Sequence, residues 1–164
     1  MMRPIGIILA IIAASLTASA SAQQQSDIDA VKAAIVAYHA AVGPLSGSKM
    51  DPLWAHDATV ILLNPRDKKI SVGWDAVKKN WEDAGNFWSE LKVTQADGPY
   101  IQVKGDVAWS MGIANAVGKS KAGAAINAPT AETDVFENAA GSGCWCPTPP
   151  GGCLSRQAKD LSSH

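Results

Sequence analysis

Residues 72–88, VGWDAVKKNWEDAGNFW, constrain the fold more than any other stretch of the chain. Trp74, Trp81 and Trp88 recur every seven residues with Val77 and Ala84 between them, so one side of a helix carries a heavy aromatic load. Gly73 supplies the turn that ends a strand and opens this helix. Asp75 then places a carboxylate in the first turn, where the positive end of the helix dipole favours it. A helix this bulky must lie on something broad, and a curved sheet meets that need.

The flanking sequence supplies the sheet and two further helices. Ser26 is a natural N-cap with Asp29 three residues on, and Ile28, Val31, Ile35, Tyr38 and Val42 then follow one helix face up to the stop at Gly43-Pro44. Asp51-Pro52 opens a short helix carrying Leu53 and Trp54. Residues 58–63 and 70–72 read as the arms of a hairpin across a polar turn. Residues 91–103 form a strand bent at Gly98-Pro99, and 130–137 a later one.

Between these strands, residues 107–117 alternate bulky (Val107, Trp109, Met111, Ile113, Asn115, Val117) with small (Ala108, Ser110, Gly112, Ala114, Ala116). This predicts a strand whose bulky face fills a concave interior and whose small face receives another layer or subunit. Helices followed by an antiparallel meander make an α+β order: a curved antiparallel sheet wrapped around three helices from the N-terminal half.

Charge excludes several functions. Fourteen basic residues stand against 15 acidic ones without runs, giving neither a nucleic-acid groove nor a polybasic membrane patch. The three cysteines, Cys144, Cys146 and Cys153, crowd into the tail, so no disulfide framework holds the fold, and their spacing suits no standard metal site. No nucleotide or cofactor fingerprint is present, and no cofactor is expected. At the other end, Arg3, an apolar run over 5–16 and Ala20-Ser21-Ala22 read as a signal peptide over 1–22. The run is too short for a comfortable membrane span, which needs about 20 residues. The expectation is an exported, periplasmic or secreted chain beginning near Gln23, off the membrane once the signal is cleaved.

LWAHDATV at 53–60, GWDAVKKNW at 73–81 and KGDVAW at 104–109, in this order of elements, resemble the SnoaL-like branch of the nuclear transport factor 2-like superfamily. The resemblance spans about residues 27–137 and sets a domain at 23–137. It implies a cone of sheet around helices, a pocket at the open end and, often, a homodimer. That family closes with a strand holding a tryptophan followed by aliphatic residues. Here the chain gives NAAGSGCWCPTPPGGCLSR, too rich in proline and glycine for a central strand. Read from the third base of each codon from Glu137 on, suitable codons permit KRGGQWLLVSHASR, the missing strand. Residues 138–164 are therefore expected to be a disordered, non-family tail read out of frame, with an authentic cysteine-bearing tail as the alternative.

The resemblance also bears on chemistry. In ketosteroid isomerases of this superfamily a tyrosine of the first helix donates to a substrate oxyanion, a role that falls on Tyr38. Asp134, two before Phe136, matches the protonated aspartate that assists it, provided that it points inward; alternation leaves its face open. The base is missing: its place at the end of the first strand is taken by Leu62 or Asn64. His39 falls on another helix face from Tyr38, and His56 ends the short helix; both read as structural or surface groups. Trp54, Trp81, Trp88, Trp109 and Met111 are expected to line an apolar cavity, with Asn115 its polar group. These residues predict an exported domain that binds a small apolar or aromatic molecule. An isomerase or lyase using Tyr38, Asp134 and Asn115, and a dimerising interaction module, are the alternatives.

Overall fold

A computed structural model describes residues 6–138 and 145–146 of the chain. Helix α1 (Gly6–Val42) is followed by a single helical turn α2 (Gly47–Met50), a 3-10 turn (Asp51–Leu53), and strands β1 (Ile61–Leu62) and β2 (Ser71–Val72). Helix α3 (Trp74–Phe87) leads into three long strands, β3 (Trp88–Lys104), β4 (Val107–Ser120) and β5 (Ala125–Asn138), and a two-residue β6 (Trp145–Cys146). β3 to β6 form one antiparallel sheet in chain order, while β1 and β2 pair as a separate hairpin. The architecture is the expected α+β one, a curved antiparallel sheet with helices gathered on one face.

Helix α1 starts well before Ser26, which is an interior residue rather than a cap. No glycine or proline lies between Gly6 and Gly43, so nothing in the backbone ends the helix earlier. Among the described residues no helix is long and apolar enough to cross a membrane. The short helix likewise begins earlier than Asp51, at Gly47, with Pro52 tightening its end into the 3-10 turn.

The interior has two parts. The larger gathers Val42, Met50, Trp54, Val60, Leu62, Val77, Trp81, Ala84 and Trp88, with Leu91, Val93 and Ile126 of the sheet beneath. Burying a Val- or Leu-sized side chain contributes roughly 1.5–3 kcal/mol, so the face of α3 read from the sequence anchors this end. Gly85 is required there: a Cβ would run into the Leu45 carbonyl of the α1–α2 turn. Asn80 of α3 donates to Asp67 Oδ2 at 2.8 Å and accepts from Asn64 Nδ2 at 2.8 Å, tying the β1–β2 turn to the helix. Asp67 also accepts from the Asn64 backbone N–H, so its carboxylate closes the turn as well. The smaller part packs Val31 and Ile35 of α1 onto Ala108 of β4 and Phe136 of β5.

The faces of β4 are the reverse of the expectation. Ala108, Ser110 and Ala114 turn inward and are buried, whereas Trp109 is 39% exposed and Met111 59% exposed. Alternation establishes which residues share a face but not which face is covered. Small side chains let helix α1 come close to the sheet; the bulky row would hold it away. The small face is thus covered by α1 and not open to a second subunit.

β6 pairs with β5 only at Glu137↔Cys146 and Asn138↔Trp145. Among the described residues the β5 edge from Ala125 to Phe136 has no strand partner. Cys144, Cys153 and the tail from 147 on lie outside the described residues, as does Arg3 of the expected signal.

Candidate functional site

The polar residues of the interior converge where α1 crosses β4 and β5. Residues two apart on a strand share a face, so Glu132, Asp134 and Phe136 all point toward α1 while Val135 points out. Asp134 thus takes the inward orientation that alternation alone left open. Ser110 sits opposite it in the β4–β5 register and donates its hydroxyl to Asp134 Oδ2 at 2.9 Å. Burial pushes the Asp134 carboxyl above the usual carboxylate range. Donation from Ser110 offsets part of this, the Glu132 charge adds to the rise, and His39 opposes it.

From α1, Tyr38 and His39 face this pair. Burial, then the carboxylates of Asp134 and Glu132, push the Tyr38 hydroxyl well above its ordinary value, so it is a firm donor at neutral pH. His39 Nε2 lies 3.0 Å from Glu132 Oε2 and 3.2 Å from Oε1. The two side chains are only 10% and 19% exposed, so this contact is shielded more than a surface pair.

Aromatic walls enclose the other side of Tyr38. The Trp81 ring meets it edge-on at 5.8 Å between centroids, and the Trp54 ring at 6.4 Å. Trp54 is 6% and Trp81 3% exposed, and neither buried indole N–H has a hydrogen-bond partner. A buried donor without an acceptor costs about 1–3 kcal/mol. Two donors therefore stand beside the Tyr38 ring with no acceptor assigned to them.

Of the residues singled out from the sequence, Tyr38, Asp134, Trp54 and Trp81 come together. Trp88 is buried at the α3–β3 junction, edge-on to Phe87. Trp109 and Met111 lie on the outer face. Asn115 is turned outward too, donating to Asn127 Oδ1 at 3.2 Å across β4–β5. Ser110, Glu132 and His39 were not legible as site residues: their roles depend on contacts spanning up to 93 positions in sequence.

Leu62 is buried in the apolar core and Asn64 is engaged with Asn80, so the first strand offers no base. His56 stacks on Trp74 at 4.6 Å and bonds the Asp51 carbonyl at 2.8 Å, while Asp57 accepts from Thr59, so both brace local turns. Among the described residues no group of three or more His, Cys, Asp or Glu is placed to hold a metal ion. Two open surface depressions, one beside Ser89 and Lys119 and one between α2 and α3, are lined by neither Tyr38 nor the tryptophans.

No protein-family model and no curated protein sequence matches the chain. Solved structures do. A nuclear transport factor 2-like superfamily protein from Salmonella enterica superposes with a TM-score of 0.62 at 16% identity, over 72% of this chain and 81% of that one. The chain has the nuclear transport factor 2-like fold. A proposed dehydratase of the nuclear transport factor 2-like family from Streptomyces avermitilis gives a TM-score of 0.60 at 17% identity, over 70% of this chain and 88% of its own. A ketosteroid isomerase-like protein from Erwinia carotovora gives 0.54 at 17% identity, over 66% and 82%. Identities this low carry the nuclear transport factor 2-like fold and nothing finer, so chemistry must come from the side chains.

Proposed function

We propose that the protein is an exported domain that binds a small molecule with an aromatic or apolar body and a neutral hydrogen-bond acceptor, such as a carbonyl oxygen. The observation that carries this is the pair of buried, unpartnered donors Trp54 Nε1–H and Trp81 Nε1–H, whose rings pack against the ring of Tyr38. The nearby carboxylates of Glu132 and Asp134 disfavour an anion and favour a neutral acceptor. Titration of tryptophan fluorescence against a panel of aromatic ketones and quinones tests it. Saturable quenching is expected, weakened about 5- to 10-fold by Tyr38→Phe, the value of one hydrogen bond of roughly 1 kcal/mol. A panel with no saturable response would end the proposal.

A second reading, an isomerase or lyase of the ketosteroid isomerase-like type, is favoured by one feature. Asp134 lies inward beside Tyr38, where burial keeps it protonated to higher pH than a free carboxyl. Such an acid can support the tyrosine as oxyanion charge develops. Asn115 has no part in this reading, since it faces outward. We further propose that a homodimer forms through the exposed row of Tyr100, Trp109, Met111 and Val135, a contiguous apolar sheet face.

A further inference from the structure

The β1–β2 hairpin carries a surface that the ligand reading leaves unused. Its register pairs Ile61 with Val72 and Leu62 with Ser71. Leu62 and Ser71 are buried, so alternation puts Ile61, Leu63, Ile70 and Val72 on the opposite face, where they are between 56% and 61% exposed. The turn that joins the arms holds Arg66, Lys68 and Lys69, all exposed. Its one acid is engaged within the turn: Asp67 Oδ2 accepts from the Asn64 N–H and from Asn80 Nδ2, each at 2.8 Å. We propose that this hairpin docks the protein on the surface of an anionic phospholipid bilayer. The aliphatic row enters the headgroup–acyl boundary and the basic turn meets the phosphates.

Both parts of the surface contribute. Aliphatic side chains gain by leaving water, and each Lys or Arg close to an anionic leaflet adds about 5-fold in affinity. The turn is preformed, which spares ordering on binding. Asn64 Nδ2 donates to Asn80 Oδ1 at 2.8 Å, and the Arg66 guanidinium lies 4.8 Å from the centroid of the Phe87 ring. Phe87 is itself exposed, and its carbonyl accepts from the Lys121 N–H at 2.9 Å. That bond brings the β4–β5 turn to the same end of the molecule, where Lys119 and Lys121 outnumber the neighbouring Glu90. The sequence shows no basic run because these cations sit on two turns far apart in the chain. A second copy of this face would present the same cations and no anion to match them, whereas phosphates above a hydrocarbon core match both parts. The proposal departs from the sequence expectation of a chain off the membrane once its signal is cleaved.

Cosedimentation of the full chain with vesicles tests this, using equimolar phosphatidylglycerol and phosphatidylcholine beside phosphatidylcholine alone. The neutral vesicles report whatever the apolar run over 5–16 contributes by itself. Binding to the anionic vesicles is expected to be on the order of 100-fold tighter, from three cations in the turn. The pair Lys68→Gln and Lys69→Gln should weaken it about 25-fold, and the pair Leu63→Ser and Ile70→Ser on the order of 10-fold. Melting curves should stay like the parent's, since all four positions are exposed. Absent binding, equal binding to the two kinds of vesicle, or variants that bind like the parent would each overturn the proposal. So would a Leu63→Ser, Ile70→Ser protein whose lipid-free sedimentation profile shifts while its vesicle binding does not, since the face would then belong to a second copy. Should the variants not fold, salt decides on the parent protein. Raising salt from about 0.1 M to 1 M shortens the screening length from about 10 Å to 3 Å and should abolish the preference for anionic vesicles. A preference that persists would refute the docking.

Discussion

The two ends of the interior are built on different terms. Around α3 the core is made of large apolar side chains drawn from elements close in sequence, and its polar atoms, the two indole N–H groups, lack partners. Where α1 crosses β4 and β5, the apolar core is small, and the polar side chains Ser110, Asp134, His39 and Glu132 find one another across long sequence separations. One end supplies stability and a wall; the other supplies groups whose protonation matters. Tyr38 touches both, which is why the candidate site sits at the seam.

That contrast can be broken experimentally. Trp81→Ala should be the most damaging change, costing about 3–5 kcal/mol in chemical denaturation, because it empties the centre of the larger core. A loss under 1 kcal/mol would mean that this end does not carry the stability.

Restoring the alternative reading frame after Glu137 should raise the melting temperature by about 4 °C or more. A full closing strand would pair the β5 edge that β6 covers at only two positions. Equal melting temperatures would count against the out-of-frame reading, as would codons incompatible with it when the gene is sequenced.

At the polar end the effect should be smaller and should depend on pH. The folded-state pKa of Asp134 is raised, so its favourable contribution is full below the unfolded value of 3.8 and is lost as pH rises through the folded value. Asp134→Asn should therefore gain stability relative to the parent as pH rises from about 4 toward neutrality. A difference flat across that window would place the carboxyl in solvent instead.

Least affected should be the outer face. Met111→Glu is expected to alter stability by less than about 0.5 kcal/mol while shifting the sedimentation profile from dimer to monomer. An unchanged profile, dimeric or monomeric in both proteins, would remove Met111 from any interface.

The sequence revealed the end of the molecule that is local. Trp74, Val77, Trp81 and Ala84 declare a helix and its covered side within a few turns, although Trp88 opens β3 instead of extending that helix, and the hairpin and meander follow from alternation and turn residues. Periodicity also placed Tyr38 on the same α1 face as Val31, Ile35 and Val42, all of which are buried.

What the sequence could not settle was which way a strand faces. Trp109, Met111 and Asn115 share a side of β4, as alternation requires, but that side is outside because only the small row of Ala108, Ser110 and Ala114 admits helix α1. The same limit hid the His39–Glu132 pair, since a helix and a strand 93 residues apart have no local pattern linking them. Local spacing determines elements and the residues that share a side; only packing of one element on another selects the covered side and the polar groups that meet beneath it.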